Sequence, residues 1–359
     1  MAKIKAGIVG CGGIAMGKHL PSATKAGGVK FTAFCDIIPE RAEQAKKQYG
    51  SKDAAVYTDY KKLLADGSID VIYVCTPNNS HCQITVDALE SGKHVMCEKP
   101  MAVSYDEAKK MTDAARRTGK LLTVGYQNRY RPDSRYLKAE CQKGTLGDIY
   151  FAKARAIRRR AVPTWGVFLD AEKQGGGPLI DIGTHALDLT LHMMDNYSPK
   201  YAVGTVYHKL NEQRQAANAW GDWDVEKFTV EDSAFGFVVM ENGATIMLES
   251  SWALNVADVG EAQTLLCGTA AGADMFDGLR INGVANNTQY ILRPSFEGGG
   301  VDFYDGVSAD PAVMEAKTFI DAVSGKGKLL VTAEQAAEVT RILEGIYISA
   351  RTGQPYYFK

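Results

Sequence analysis

The sequence offers almost no net charge to a polyanion: 41 Lys and Arg stand against 42 Asp and Glu, a formal charge of −1. That balance excludes a global attraction to nucleic acid or an anionic membrane surface. The one basic run, Arg158-Arg159-Arg160, is local. No stretch reaches the ~18 consecutive apolar residues that a spanning helix needs. The first residues, MAKIKAGIVGCGGIA, hold too short an apolar run and too many glycines to read as a secretory leader. Cysteine is sparse as well, seven residues with no Cys-x-x-Cys pair. Most of them lie in apolar, strand-like runs, where a free thiol behaves as a small hydrophobe. The expectation is a reduced, cytoplasmic protein without disulfides or structural zinc.

What is present describes an ordinary globular chain. Its 359 residues suggest two domains at ~100–200 residues each. The first third alternates short β-rich runs (4–9, 29–35, 71–75, 94–97, 121–124) with helical stretches (15–26, 39–49, 59–65, 80–91, 104–118). Ser104 with Glu107 three residues on forms a capping box, and Gly119 supplies the stop. Such alternation predicts a doubly wound parallel sheet with helices on both faces. Beyond about Arg131, longer strands follow one another (149–157, 201–208, 233–239, 244–253, 264–267), interrupted by a helix over 184–194. That rhythm predicts an α+β domain with a mostly antiparallel sheet. Two helical stretches, 311–323 and 333–350, end the chain, and 298–300 and 286–287 read as loops. The expected division is 1–128 and 129–359, with the last helices free to pack back on the first domain.

Gly10-Cys11-Gly12-Gly13-Ile14-Ala15 fits G-x-G-x-x-G/A directly after an apolar strand and at a helix start. Gly10 permits the tight turn, Gly12 lets the backbone approach a pyrophosphate, and Ala15 allows close helix–strand packing. A lone fingerprint could be only a glycine-rich turn. Here the next strand ends at Asp36, about twenty residues further on, where a ribose-binding acid belongs. A carboxylate at that point accepts ribose hydroxyls and repels a 2′-phosphate, which favours NAD over NADP. Gly10, Gly12, Gly13, Ile14 and Asp36 are the cofactor candidates.

Three further clusters remain: Thr76-Pro77-Asn78 with His81, Glu98-Lys99-Pro100, and Asp181-Ile182-Gly183-Thr184-His185. The first two follow strands, at the carboxyl ends where open α/β sheets bind ligands. Asp181 and His185 either share one helix face or place the Asp at the helix mouth. The plain alternative is a helix-terminal Asp and a buried His. His185, Asp188 and His192 could also share a face, but no further ligand stands at metal-site spacing, so no metal is expected.

Taken in order, GxGxxA, the acid ending the second strand, TPNxxH, EKP and DxGTH resemble the Gfo/Idh/MocA oxidoreductase family across nearly the whole chain. The resemblance implies a Rossmann domain and a C-terminal α+β domain whose open sheet commonly makes a homo-oligomer interface. It also implies tightly held NAD(H) or NADP(H) and a polyhydroxylated small-molecule substrate. On this pattern Lys99, Asp181 and His185 form the catalytic trio, while Thr76, Pro77, Asn78, His81, Glu98 and Gln127 lie near the cofactor. An imidazole, with an ordinary pKa of about 6.5, suits proton removal near neutrality. A lysine beside the oxygen would stabilise a developing alkoxide. Asp181 would orient His185 or hold a neighbouring hydroxyl.

The loop from Arg158 through Thr164 and Trp165, with the glycines 175–177 and DIGTHALDL, is similar to bacterial glycoside 3-dehydrogenases, including members that act on C-glycosides. The implied activity is NAD-dependent oxidation of a glucoside or sugar hydroxyl, at C3, to a ketone. Such a ketone acidifies the C2 hydrogen and so prepares an O- or C-glycosidic bond for elimination by a partner lyase. The alternatives are an inositol or free-sugar dehydrogenase, and an NAD-dependent glycosidase that oxidises C3 transiently. Arg158, Thr164 and Trp165, with Tyr126 and Arg129 after a strand end, are the substrate candidates. The bland reading of the 158–166 loop is a solvated basic loop with one packed Trp.

Overall fold

The computed structural model describes residues 3–210, 212–213, 217–296 and 310–359. The chain forms two compact units, one of Met1–Tyr130 and Val307–Ala337, the other of Arg131–Gly306 and Glu338–Lys359. The 298–300 glycine run lies outside the described residues.

In the first unit, β1 (Ile4–Val9), β2 (Val29–Cys35), β3 (Gly50–Tyr57), β4 (Val71–Val74), β5 (His94–Cys97) and β6 (Leu122–Val124) form one sheet. The order is β3-β2-β1-β4-β5-β6, and every pairing is parallel. β4 reads VIYV and is buried throughout, as a central strand covered on both faces must be. Because β1 lies between β2 and β4, the carboxyl ends of β1 and β4 flank the topological switch point. β3 departs from the sequence expectation. Its GSKDAAVY lacks apolar alternation, yet as an edge strand it needs only the β2 backbone for a partner.

Helix Tyr105–Thr118 starts and stops where its sequence predicts: Glu107 N–H donates to Ser104 Oγ at 3.3 Å, and Gly119 turns left-handed at φ +65°. The core of this unit centres on fully buried Tyr73, ringed by His19, Phe31 and Phe319 at 5.7, 5.5 and 5.9 Å. Phe319 comes from helix Pro311–Val323, which also places Ala316 and Ile320 in this core.

The second unit contains β7 (Ile149–Ile157), β8 (Pro199–Tyr207), β9 (Ser233–Met240), β10 (Thr245–Ser251), β11 (Gly260–Gly268), β12 (Ala271–Asp274), β13 (Arg280–Ala285), β14 (Thr288–Leu292) and β15 (Tyr356–Tyr357). They form a nine-stranded sheet, β14-β13-β12-β11-β7-β10-β9-β8-β15, antiparallel except where β10 runs parallel to β7. β12 and β15 lie beyond the sequence expectation because they are short, at four and two residues. Asn286 and Asn287, both at positive φ, make the two-residue turn that joins β13 to β14.

One face of this sheet packs helix Thr184–Met194 against β7 and β11. On β8 and β9, Gly204 and Gly236 stand opposite each other and make room for Ile346 of helix Ala333–Thr352. The neighbouring row, Val203, Phe237 and Met247, is paired strand to strand and exposed. Among the described residues no helix is long and apolar enough to cross a membrane.

Candidate active site

At the switch point of the first unit, Gly10 follows β1 with φ +89°. A Cβ there would lie 2.5 Å from the Cys75 carbonyl oxygen after β4, so only glycine fits. A Cβ on Gly12 or Gly13 would meet nothing within 4 Å. That open backbone is what a diphosphate needs to approach a helix start. Ala15 is buried, whereas Ile14 is exposed.

Asp36 is 7% exposed and ties the end of β2 to the fingerprint. Its Oδ2 accepts from Cys11 N–H at 2.8 Å, and its Oδ1 accepts from Ile38 N–H at 2.9 Å. Each oxygen retains lone-pair capacity for a ribose hydroxyl. The residues present therefore fit a dinucleotide: a glycine turn open to phosphate and a carboxylate at the second strand's end.

The loops after β4 and β5 are joined by His81, whose Nε2 lies 2.9 Å from Thr76 O and whose Nδ1 lies 2.8 Å from Pro100 O. The ring is fully buried. Burial lowers its pKa, against two carbonyl contacts that favour the charged form. Ser80 Oγ donates to Thr76 Oγ1 at 2.8 Å, Asn78 is buried and Pro77 is exposed. His81 thus acts as a strut that sets the Lys99–Pro100 turn.

Glu98 makes a second strut. One oxygen accepts from Lys99 N–H at 3.0 Å, while the other takes Lys18 Nζ at 2.8 Å and His19 Nε2 at 2.7 Å. Lys18 also reaches Glu315 at 3.0 Å. Burial would raise the Glu98 carboxyl, but the Lys18 ammonium and the hydrogen bonds from His19 and Lys18 outweigh it and hold the group well below the usual carboxylate range. Lys18 and His19 lie in a π-helical turn, Ala15–His19, ahead of helix Leu20–Ala26. Pro21 cannot donate a backbone hydrogen bond, and the widened turn relieves its clash with the preceding turn. Glu98, expected near the cofactor, is buried in this cluster, and its contacts act on the backbone of Lys99.

Gln127 is half-buried in the turn Gln127–Tyr130. Two substrate candidates are buried. Tyr126 is 0% and Arg129 1% exposed. The Arg129 guanidinium is bonded to Leu330 O at 2.9 Å and Gln335 Oε1 at 2.7 Å. Both follow β6, an edge strand, where Val331 O accepts from Thr123 Oγ1 and the 330–335 segment takes up the Arg129 guanidinium.

In the second unit the winding is helical from Leu179 to Met194, beginning with a π-helical turn over Leu179–Gly183. Asp181 therefore stands about one turn ahead of His185, buried and half-buried respectively. Trp252 Nε1 donates to Asp181 Oδ2 at 3.0 Å. Glu231 caps the start of this segment, accepting from Gly177 N–H at 2.8 Å, Leu179 N–H at 3.2 Å and Tyr347 O–H at 2.7 Å. Burial raises the Glu231 pKa against those three donors. A Cβ on Gly177 would lie 2.2 Å from Glu231 O, which explains the last glycine of the run.

Asp188 and His192 are buried, and among the described residues no group of three or more His, Cys, Asp or Glu could hold a metal ion. Arg158 pairs in bidentate fashion with Glu261 at 2.5 and 2.9 Å, and Thr164 Oγ1 donates to Trp220 O at 2.7 Å. Trp165 is 51% exposed.

Lys18, His19, Glu315, Glu231, Trp252 and Tyr347 carry no signal in the local sequence. Their partners lie far away in sequence, 80 residues for Lys18–Glu98 and 116 for Tyr347–Glu231. No local spacing could reveal them.

Comparison with known proteins adds three observations. Residues 4–126 match the oxidoreductase family model with an NAD-binding Rossmann fold, and residues 134–273 match the GFO/IDH/MocA C-terminal domain. D-Glucoside 3-dehydrogenase of Escherichia coli K12 is 34% identical over 351 residues, 98% of this chain and 96% of that protein. The fold matches levoglucosan dehydrogenase in complex with NADH (TM-score 0.82, 19% identity, 100% of both chains) and aldose-aldose oxidoreductase from Caulobacter crescentus (TM-score 0.80, 20% identity, 99% and 100%). With a glycine fingerprint open to a diphosphate, Asp36 at the end of β2 and both family domains matched in order, the chain belongs to the Gfo/Idh/MocA family of NAD-binding oxidoreductases.

Proposed function

We propose that this protein oxidises a secondary hydroxyl of a glucoside, at C3, to a ketone with NAD as the oxidant. The carrying observation is the 34% identity to a D-glucoside 3-dehydrogenase along 98% of the chain. Oxidation removes a proton from the hydroxyl oxygen and a hydride from the same carbon. Bound NAD supplies the hydride acceptor. In this reading His185 takes the hydroxyl proton and Lys99 stabilises the developing alkoxide. Asp181, anchored by Trp252, orients the imidazole or holds an adjacent hydroxyl. His81 and Glu98 position the Lys99 turn rather than touching substrate.

Asp36 supports NAD over NADP, since its carboxylate opposes a 2′-phosphate, and the same reading holds the cofactor tightly. Asp36→Ala should weaken NAD binding about 10–100-fold, the loss expected for hydrogen bonds to a charged group. Isothermal titration would measure this, and unchanged affinity would contradict the assignment. The exposed Val203–Phe237–Met247 row supports assembly of copies through the open sheet. All seven cysteines are free thiols, in keeping with a cytoplasmic location. A 3-keto product would feed a β-eliminating lyase acting on O- or C-glycosides.

The direct test incubates the protein with methyl and aryl glucosides, free sugars and inositols, with and without added NAD, and identifies products by NMR. The expected product is a 3-ketoglucoside. Release of aglycone with no ketone would instead identify a glycosidase using transient oxidation, and turnover of free sugars or inositols alone would overturn the glucoside reading.

A further inference from the structure

The second unit carries an aromatic surface that the proposed chemistry does not use. Trp165 and Trp220 meet edge to face, 4.9 Å between ring centroids at 82°, and Phe168 adds a third ring 5.8 Å from Trp165. The two indoles are 51% and 43% exposed. A T-shaped contact covers an edge of one ring and part of a face of the other, leaving open ring surface.

This surface is rigidly built, although it lies on loops. Residues 158–168 and 217–221 are zipped together: Ala219 N–H donates to Arg160 O at 2.9 Å, Val162 N–H to Asn218 Oδ1 at 2.8 Å, and Asn218 Nδ2 to Val162 O at 3.0 Å. The Thr164 hydroxyl holds Trp220 O, and the Arg158 guanidinium sits 5.3 Å over the Trp220 ring. The shelf also connects to the candidate site. Arg158 follows β7 and Trp252 follows β10, two parallel strands paired at their ends through Ile157 and Ser251. Ala161 N–H then donates to Trp252 O at 2.9 Å, while the Trp252 indole holds Asp181. One residue thus fixes both the carboxylate and the base of the loop.

The polar groups framing the rings are already engaged. Arg158 serves Glu261 and Ala161 O, Thr164 serves Trp220 O, and Asn218 serves Val162 and Gly221. A glucose ring needs hydrogen-bond partners for its hydroxyls, whereas an apolar ring needs only area. A glucoside carries an aglycone on C1 in addition to its sugar.

We propose that Trp165, Phe168 and Trp220 form an aglycone subsite that selects glucosides bearing a flat apolar ring. This rests on the glucoside reading above. The test compares kcat/KM for phenyl and methyl β-glucoside in the NAD-loaded wild type, Trp220→Ala and Trp220→Phe, with thermal unfolding and subunit mass measured alongside. Loss of a ring stack predicts that Trp220→Ala lowers the phenyl-to-methyl ratio about tenfold, and that Trp220→Phe restores most of it. An unchanged ratio overturns the subsite, as does a variant that changes subunit mass and not selectivity. If the wild type oxidises neither glucoside, the glucoside reading fails, and this proposal fails with it.

Discussion

His185→Ala is expected to lower kcat by roughly 10²–10⁴-fold, the range for loss of a general base, while leaving NAD affinity within about twofold of wild type. The two effects separate because their residues belong to different units. Gly10, Gly12, Gly13 and Asp36 belong to the first unit, whereas His185 opens helix Thr184–Met194 of the second. The measurement pairs steady-state turnover on the preferred sugar substrate with direct titration of NAD. Near-normal turnover would remove His185 from the mechanism. Loss of NAD binding would mean that its role is structural.

Lys18→Met should destabilise the first unit by about 3–5 kcal/mol, because it removes the cation from a buried cluster and leaves its carboxylates uncompensated. Lys18 Nζ lies 2.8 Å from Glu98 and 3.0 Å from Glu315, and all three side chains are at most 10% exposed. The same change leaves that Glu98 oxygen with His19 Nε2 as its remaining named partner, while the other oxygen still holds the amide of Lys99. Chemical denaturation of the variant should therefore show an earlier transition, and a loss below about 1 kcal/mol would be far outside the range for breaking a buried pair. The acid dependence follows from the same contacts. Glu98 is held below its ordinary value of 4.5, so its contribution is present above that pH and is lost as pH falls beneath it. Burial raises Glu315 above the same value, which costs stability as pH rises past it. Lys18→Met should flatten the Glu98 part of this profile.

Some of this architecture is legible in local sequence for definite physical reasons. Gly10 is read from the fingerprint because a turn at φ +89° against the Cys75 carbonyl tolerates no side chain. Ser104, Glu107 and Gly119 are read because helix ends need partners and a left-handed stop within three or four residues. β4 is legible because strands covered on both faces must be apolar without interruption. By contrast, β3, an edge strand, and β12, which reads AGAD, carry little apolar pattern. They exist through backbone pairing with a neighbour, which leaves no mark in composition.

The same division runs through the candidate site. The chain order of GxGxxA, Asp36, TPNxxH, EKP and DxGTH by itself pointed to the family and the dinucleotide fold and nominated the residues proposed for chemistry, because backbone turns and reactive groups demand particular residue types at particular places. Tertiary structure alone decided what holds them. It put Asp36 on the Cys11 amide, Glu98 on Lys18 and His19, Trp252 on Asp181 and Glu231 under Gly177. It also turned Tyr126 and Arg129 inward and brought Trp220 against Trp165. Each of these is a contact across tens of residues, set by how the layers pack, and burial gives such contacts their strength by removing competing water.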